Sequence, residues 1–298
     1  MKILLLGKNG QVGWELQRAL APLGELITAD RTHADLSKPE LLRVFVASIA
    51  PDVIVNAAAY TAVDQAEKDV ELATTINADS VNVLAEEALR LNAWLIHYST
   101  DYVFDGQKVA SYVEDDLACP LSVYGKSKLE GEQYIQTSGC KYLVFRTSWV
   151  FSARGNNFVK SMLRLAKERE SLNIVADQFG APTSADLIAD VTALCLNQIM
   201  IKEDVYSENK SGIYHLVSGG EASWHSFAKY VITRALNIGE SLKTLPDAIF
   251  PISTSEYPVA ATRPKNSRLN TDKLQQTFSL YLPQWTTYVD RTLNELLK

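Results

Sequence analysis

The sequence predicts an α/β protein, a Rossmann-type doubly wound parallel sheet with a smaller C-terminal substrate-binding lobe. Three observations carry that expectation. The chain opens on an apolar run at residues 3–6 that leads through a glycine-rich turn into an amphipathic helical pattern. Short apolar runs and helical patterns then alternate up to about residue 150. Crossovers long enough to hold helices bring successive strands into parallel pairing. Beyond residue 150 the alternation loosens. That divides the chain into a dinucleotide-binding domain, 1–150, and mainly a substrate lobe, 151–298, with segments returning to the sheet.

Composition sets the bounds. The 298 residues are 47% hydrophobic and 21% charged, with a net charge of −6 and no Lys/Arg cluster. No nucleic-acid partner is expected of such a chain. No apolar run approaches the roughly 20 residues of a membrane span. Cys119, Cys140 and Cys195 are odd in number and widely spaced, which fits reduced thiols in the cytoplasm. His33, His97, His215 and His225 lack metal-ligand spacing.

Residues 3–6 read as a strand buried on both faces. Gly7, Gly10 and Gly13 follow at G-x-x-G-x-x-G spacing. Gly7 allows the tight turn, Gly10 lets backbone approach a pyrophosphate at a helix N-terminus, and Gly13 allows close helix–strand packing. Trp14, Leu16, Leu20 and Leu23 mark the helix, ending near Gly24. A second strand at 26–29 ends in Asp30 and Arg31. The acid suits ribose hydroxyls and the Arg suits a 2′-phosphate, so NADH and NADPH both remain open. Ser37 and Glu40 stand at capping-box spacing before a helix to about Ser48.

A third strand at 53–55 runs into the small residues 56–59, followed by Tyr60 and Thr61. One long helical region is expected from Asp64 to Leu91, with Asn77 inside it. The fourth strand, 94–98, ends in Ser99, Thr100 and Asp101, and ligands bind outside the carboxyl ends of such strands. After the breaker Pro120, Tyr124 and Lys128 are four apart, one turn of a helix. A cation near a phenol lowers its pKa and prepares it for proton transfer to a carbonyl oxygen. In a chain with 13 Tyr, such a pair also arises by chance.

A fifth strand at 142–145 leads to Trp149, a pocket wall or a core residue. Further on come a helix from about Gly155 to Arg169 and a turn cluster at 177–183. A helix carrying Asp186 and Asp190 on one face follows, then a strand at 213–217 and a helix at 224–236. Residues 245–264 read as proline-punctuated loop, and helices around Asp272 and at 285–297 end the chain.

The motifs GKNGQVGWELQ, VNAAAYTAVDQAE, HYSTDYVFDG, VYGKSKLEGE, FRTSWVF, DQFGAPT and RPKNSRLN resemble, in order and spacing, the extended short-chain dehydrogenase/reductases. Within that family the chain is similar over nearly its full length to members that reduce a nucleotide-bound keto sugar. The resemblance implies that Thr100, Tyr124 and Lys128 form a catalytic triad. It implies cofactor contacts from Gly7, Gly10, Gln11, Val12, Asp30, Tyr98 and Lys128, with Arg31, Asp35 and Leu36 at one end and Ala59, Tyr60 and Thr61 along the cleft. Sugar contacts are implied for Thr100, Asp101, Tyr124 and Trp149. The implied reaction is hydride transfer from NADPH or NADH to C4 of dTDP-4-dehydro-L-rhamnose, a dTDP-sugar, with Tyr124 donating the proton. A homodimer is implied too, around Mg²⁺ held by Glu15, Asp186 and Asp190; the residues by themselves read first as a solvated acidic face.

Three alternatives share the fold. Dehydratases carry Asp-Glu after the Thr, whereas Asp101 here precedes Tyr102. An epimerase uses the same triad and keeps its NAD. A non-catalytic regulatory subunit looks similar, yet this chain keeps the full triad.

Overall fold

The computed structural model describes residues 1–200 and 210–297. Five strands come from the first half of the chain: β1 (Lys2–Leu6), β2 (Glu25–Ala29), β3 (Val53–Asn56), β4 (Trp94–Thr100) and β5 (Lys141–Thr147). A sixth, Gly212–His215, joins them, and the order across the all-parallel sheet is Gly212–His215, β5, β4, β3, β1, β2. The chain steps from β1 outward to β2 and then back across to β3. That reversal opens a crevice above the carboxyl ends of β1 and β3.

The apolar runs follow from burial on both faces. Ile3 and Leu5 belong to a core shared with Leu16 and Leu20 of helix Gln11–Leu20 and Ile188 of helix Ala185–Ile199. Leu4 and Leu6 face the opposite core, with Leu42 of helix Pro39–Ile49 and Leu84 of helix Ser80–Leu91. A third core gathers Phe151, Met162, Phe227 and Trp285 among helices Phe158–Glu168, Trp224–Ile238 and Trp285–Leu296. Among the described residues no helix is long and apolar enough to cross a membrane.

Local expectations fail in three places. The capping box does not form: the helix starts at Pro39 with Lys38 at its N-cap, while Ser37 bonds Asp35 through both its amide and its hydroxyl. The helical region before Leu91 is broken into Val63–Ala66, Val70–Thr74, a π-helical turn Thr75–Asp79, and Ser80–Leu91. The proline-punctuated loop contains a strand, Ile249–Ile252, paired in parallel with Leu172–Val175. That pairing joins segments some 77 residues apart (Ile249 opposite Leu172), beyond the reach of any local pattern.

Candidate active site

Strand β1 ends at Gly7, whose φ of +82° only glycine adopts without strain. A Cβ there would meet the Ala58 nitrogen at 2.7 Å, so the turn lies directly on the chain leaving β3. A Cβ on Gly13 would run into the Gly7 carbonyl, so the helix sits tight against the turn. Helix Gln11–Leu20 starts with Gly10 at its N-cap and no side-chain cap, leaving first-turn amides turned toward the crevice.

A cleft of about 840 Å³ opens above these elements. Every residue expected at the cofactor or the sugar lines it: Gly7, Gly10, Gln11, Val12, Asp30, Arg31, Asp35, Leu36, Ala59, Tyr60, Thr61, Tyr98, Thr100, Asp101, Tyr124, Lys128 and Trp149. At one end, Asp30 takes hydrogen bonds from the Thr32 hydroxyl and amide and lies 3.0 Å from His33 Nδ1. Those contacts hold its carboxyl well below the usual carboxylate range. Arg31 beside it is exposed, its Nε 3.4 Å from Asp35. Gln11 is tied across to Ser152 and Asn157 through its side-chain oxygen. Tyr98 presents its ring to the cleft while its hydroxyl pairs with Thr192 at 2.9 Å.

The other end is dry. Ser122 caps helix Val123–Ser138 by accepting from the Gly125 amide, 3.1 Å away. Gly125 lets that helix press on the Tyr102 carbonyl, where a Cβ would collide. Tyr124 meets Tyr102 edge-on at 5.7 Å and lines the cleft with Thr100. Thr100 donates to Asp101 Oδ1 at 3.1 Å and accepts from the Tyr102 amide. Burial pushes Tyr124 up to about 12, and Thr100 acts the other way. Burial also pushes Asp101 up to about 6.

Lys128 departs from the expected arrangement. Its Nζ lies 2.9 Å from His97 Nε2, and Tyr124 moves up rather than down. The lysine is 1% exposed, and burial lowers it to about 8. Trp149 has a φ of +49°, an outlier for a bulky residue, and its ring stacks on Trp224 at 3.7 Å. Ser99 Oγ, Asp101 Oδ2 and Thr147 Oγ1 are buried along the cleft without a protein partner among the described residues. Unpaired buried polar atoms are costly, so this end is built for a polar ligand.

The single chain does not by itself bring the expected metal trio together as a site. Among the described residues no group of three or more His, Cys, Asp or Glu side chains is disposed to hold a metal ion. Arg18 occupies the space among the three acids, 2.8 Å from Asp190 and 3.6 Å from Glu15. Asp186 faces Arg291 at 3.9 Å. A resident guanidinium already supplies the positive charge a cation would bring.

Some polar residues escape a motif reading. Asn77 accepts from the Tyr60 amide and donates to the Tyr60 carbonyl and to Ser127 Oγ. The π-helical turn thereby locks the cleft wall onto helix Val123–Ser138. Asn56 and His97 form a buried pair behind Lys128. The available signal was a polar residue inside an otherwise apolar strand.

Comparison with known proteins agrees with this site. The family model described as the RmlD substrate binding domain matches residues 1–298. The chain is 52% identical to dTDP-4-dehydrorhamnose reductase of Escherichia coli (strain K12), over 99% of this chain and 98% of that protein. It is 49% identical to the Burkholderia thailandensis reductase of the same name, over 100% and 99%. The solved Bacillus anthracis dTDP-4-dehydrorhamnose reductase in complex with NADP superposes with a TM-score of 0.86 at 36% identity, covering 99% of this chain and 100% of that one. The fold alone extends to the UDP-glucose 4-epimerase of Thermus thermophilus in complex with NAD, at a TM-score of 0.79 and 18% identity, over 99% of both chains. By the full-length match and the level of identity, the chain belongs to the RmlD substrate-binding domain family, alongside the dTDP-4-dehydrorhamnose reductases.

Proposed function

We propose that this chain is an NAD(P)H-dependent reductase that converts dTDP-4-dehydro-L-rhamnose to dTDP-L-rhamnose. One observation carries the reading: Thr100, Tyr124 and Lys128 stand in one cleft with the glycine turn and an uncapped helix start. A nicotinamide cofactor, when bound, supplies the hydride. The residues fit it: the turn at Gly7 and Gly10 receives a pyrophosphate, and Asp30 and Arg31 stand where an adenosine ribose is read.

The chain's own groups do the rest. Tyr124, protonated at neutral pH, gives its proton to the new hydroxyl oxygen. Thr100, its hydroxyl turned from Asp101 toward the substrate, donates to the same oxygen. Lys128 reaches from the same helix face to the nicotinamide ribose and supplies positive charge as the phenol loses its proton. Burial of Thr100 and Lys128 keeps water from the transfer. Tyr102 fills the place of a dehydratase's glutamate and packs on Tyr124, which leaves no second carboxylate there for eliminating water.

Asp30 and Arg31 act in opposite senses on a 2′-phosphate, so the enzyme takes both NADPH and NADH. The three free cysteines fit a cytoplasmic setting. As the described residues of one chain form no metal site, Mg²⁺ enters only as an ion shared between two copies through Glu15, Asp186 and Asp190. Sedimentation in Mg²⁺ and then in excess EDTA tests this: a dimer lost in EDTA supports the shared ion, and an unchanged state removes it. The reductase reading is tested by NADPH oxidation with the keto-sugar nucleotide, followed by mass analysis for a two-hydrogen gain. Absence of both overturns it.

A further inference from the structure

Behind Lys128 lies a chain of hydrogen bonds with one direction. The backbone N–H of Ala58, in the wall of the cleft, donates to Asn56 Oδ1 at 3.2 Å. That bond fixes the amide, so Asn56 Nδ2, which only donates, faces His97 Nδ1 at 3.2 Å. His97 Nδ1 is therefore the acceptor. His97 is 1% exposed, and burial keeps it neutral. A neutral ring with a bare Nδ1 carries its proton on Nε2. Nε2 is 2.9 Å from Lys128 Nζ. An N–H aimed at a nitrogen needs a lone pair there, and an ammonium has none.

We propose that His97, oriented by Asn56, is a positioning residue that favours the neutral amine of Lys128 in the cofactor-free protein and so sets the pH at which that lysine becomes charged. Burial drives Lys128 the same way. The other groups facing it do not reverse the sense. Glu132, on the same helix, favours the charged form but is engaged by Arg146 of β5 through two short bonds. Asp101, at the end of β4, is itself pushed toward its neutral form. Asn77 of the π-helical turn offers only a neutral amide. Tyr124, one turn back, is protonated. Above that pH, charging Lys128 accompanies cofactor binding, with the proton taken from water onto Nζ, and His97 must release the amine. The relay starts in the wall that meets the cofactor, which couples that wall to the lysine.

The consequence at the cofactor rests on the reductase reading, but the tautomer is measured on the protein alone. Nitrogen-15 shifts of histidine-labelled wild-type protein, recorded at a pH above the Lys128 titration and assigned with His97→Gln, are expected to show a neutral Nε2–H ring. An Nδ1–H ring or an imidazolium overturns the proposal. Carbon-13 lysine labelling then follows Lys128, assigned with Lys128→Arg. His97→Leu is expected to raise its titration by about one pH unit, since a hydrogen bond to the neutral form is lost. His97→Gln, which again offers one acceptor and one donor, is expected to restore it. An unchanged or lowered titration in His97→Leu overturns the proposal. NADPH titration by fluorescence is the second arm. If wild type fails to bind while the tautomer is as stated, the cofactor reading fails and the relay stands.

Discussion

The two ends of the cleft handle charge in opposite ways. At the end of β2, Asp30, Arg31 and Asp35 sit in or near water, and Arg31 has a side chain 75% exposed. At the end of β4, Thr100, Asp101 and Lys128 are each at most 4% exposed. In water, a unit charge at contact distance is worth about 1 kcal/mol, and salt screens it further. In a dry site burial itself moves protons: Lys128 falls to about 8, Asp101 rises to about 6 and Tyr124 to about 12. In the proposed reductase the wet end would tune which cofactor is preferred, and the dry end would decide whether proton transfer occurs.

The largest effect expected of any single change lies at the dry end. Tyr124→Phe removes the proton donor and keeps the ring against Tyr102. Turnover should fall by ~10²–10⁴ with NADPH affinity held. Near wild-type steady-state rates in the purified variant would break the contrast at once.

Lys128→Met comes next. Loss of hydrogen bonds from a charged group should weaken NADPH binding on the order of 10- to 100-fold. The pH profile gives the sign. A lysine lowered by burial is charged below its titration and neutral above it, so wild-type NADPH affinity should decline as pH rises through about 8. The Met variant should be flat across that window, and a decline surviving in it would assign the titration elsewhere.

Asn77→Ala probes the join between the cleft wall and helix Val123–Ser138. It strands the Tyr60 amide and carbonyl. Unfolding should become easier by about 2 kcal/mol, read as a lower urea midpoint at unchanged slope. A midpoint equal to wild type would mean that water satisfies those groups and the wall is wetter than the comparison holds.

The smallest effect belongs to the wet end. Arg31→Ala should weaken NADPH by roughly fivefold, the scale of an exposed ion pair. NADH should be spared, and the gap should narrow in high salt. Equal losses for both cofactors would show Arg31 acting through structure.

The sequence by itself determined the order of strands and helices, the glycine turn, and the helix that puts Tyr124 and Lys128 one turn apart. These depend on residues a few positions apart, where backbone sterics, periodicity and turn chemistry act. The cores confirm the doubled apolar pattern, with Ile3 and Leu5 on one face and Leu4 and Leu6 on the other. What only the tertiary structure decided are contacts between distant segments. Ser37 left its expected cap for Asp35. A helix spanning 64–91 became three pieces and a π-helical turn, which carries Asn77 to Tyr60 and Ser127, 17 and 50 positions away. The partner of Lys128 turned out to be His97, 31 positions back and on another element. A Tyr-x-x-x-Lys spacing states that two side chains share a face. Burial and the direction of each hydrogen bond set which of them carries a proton, and both arise only when β3, β4 and the helix are packed together.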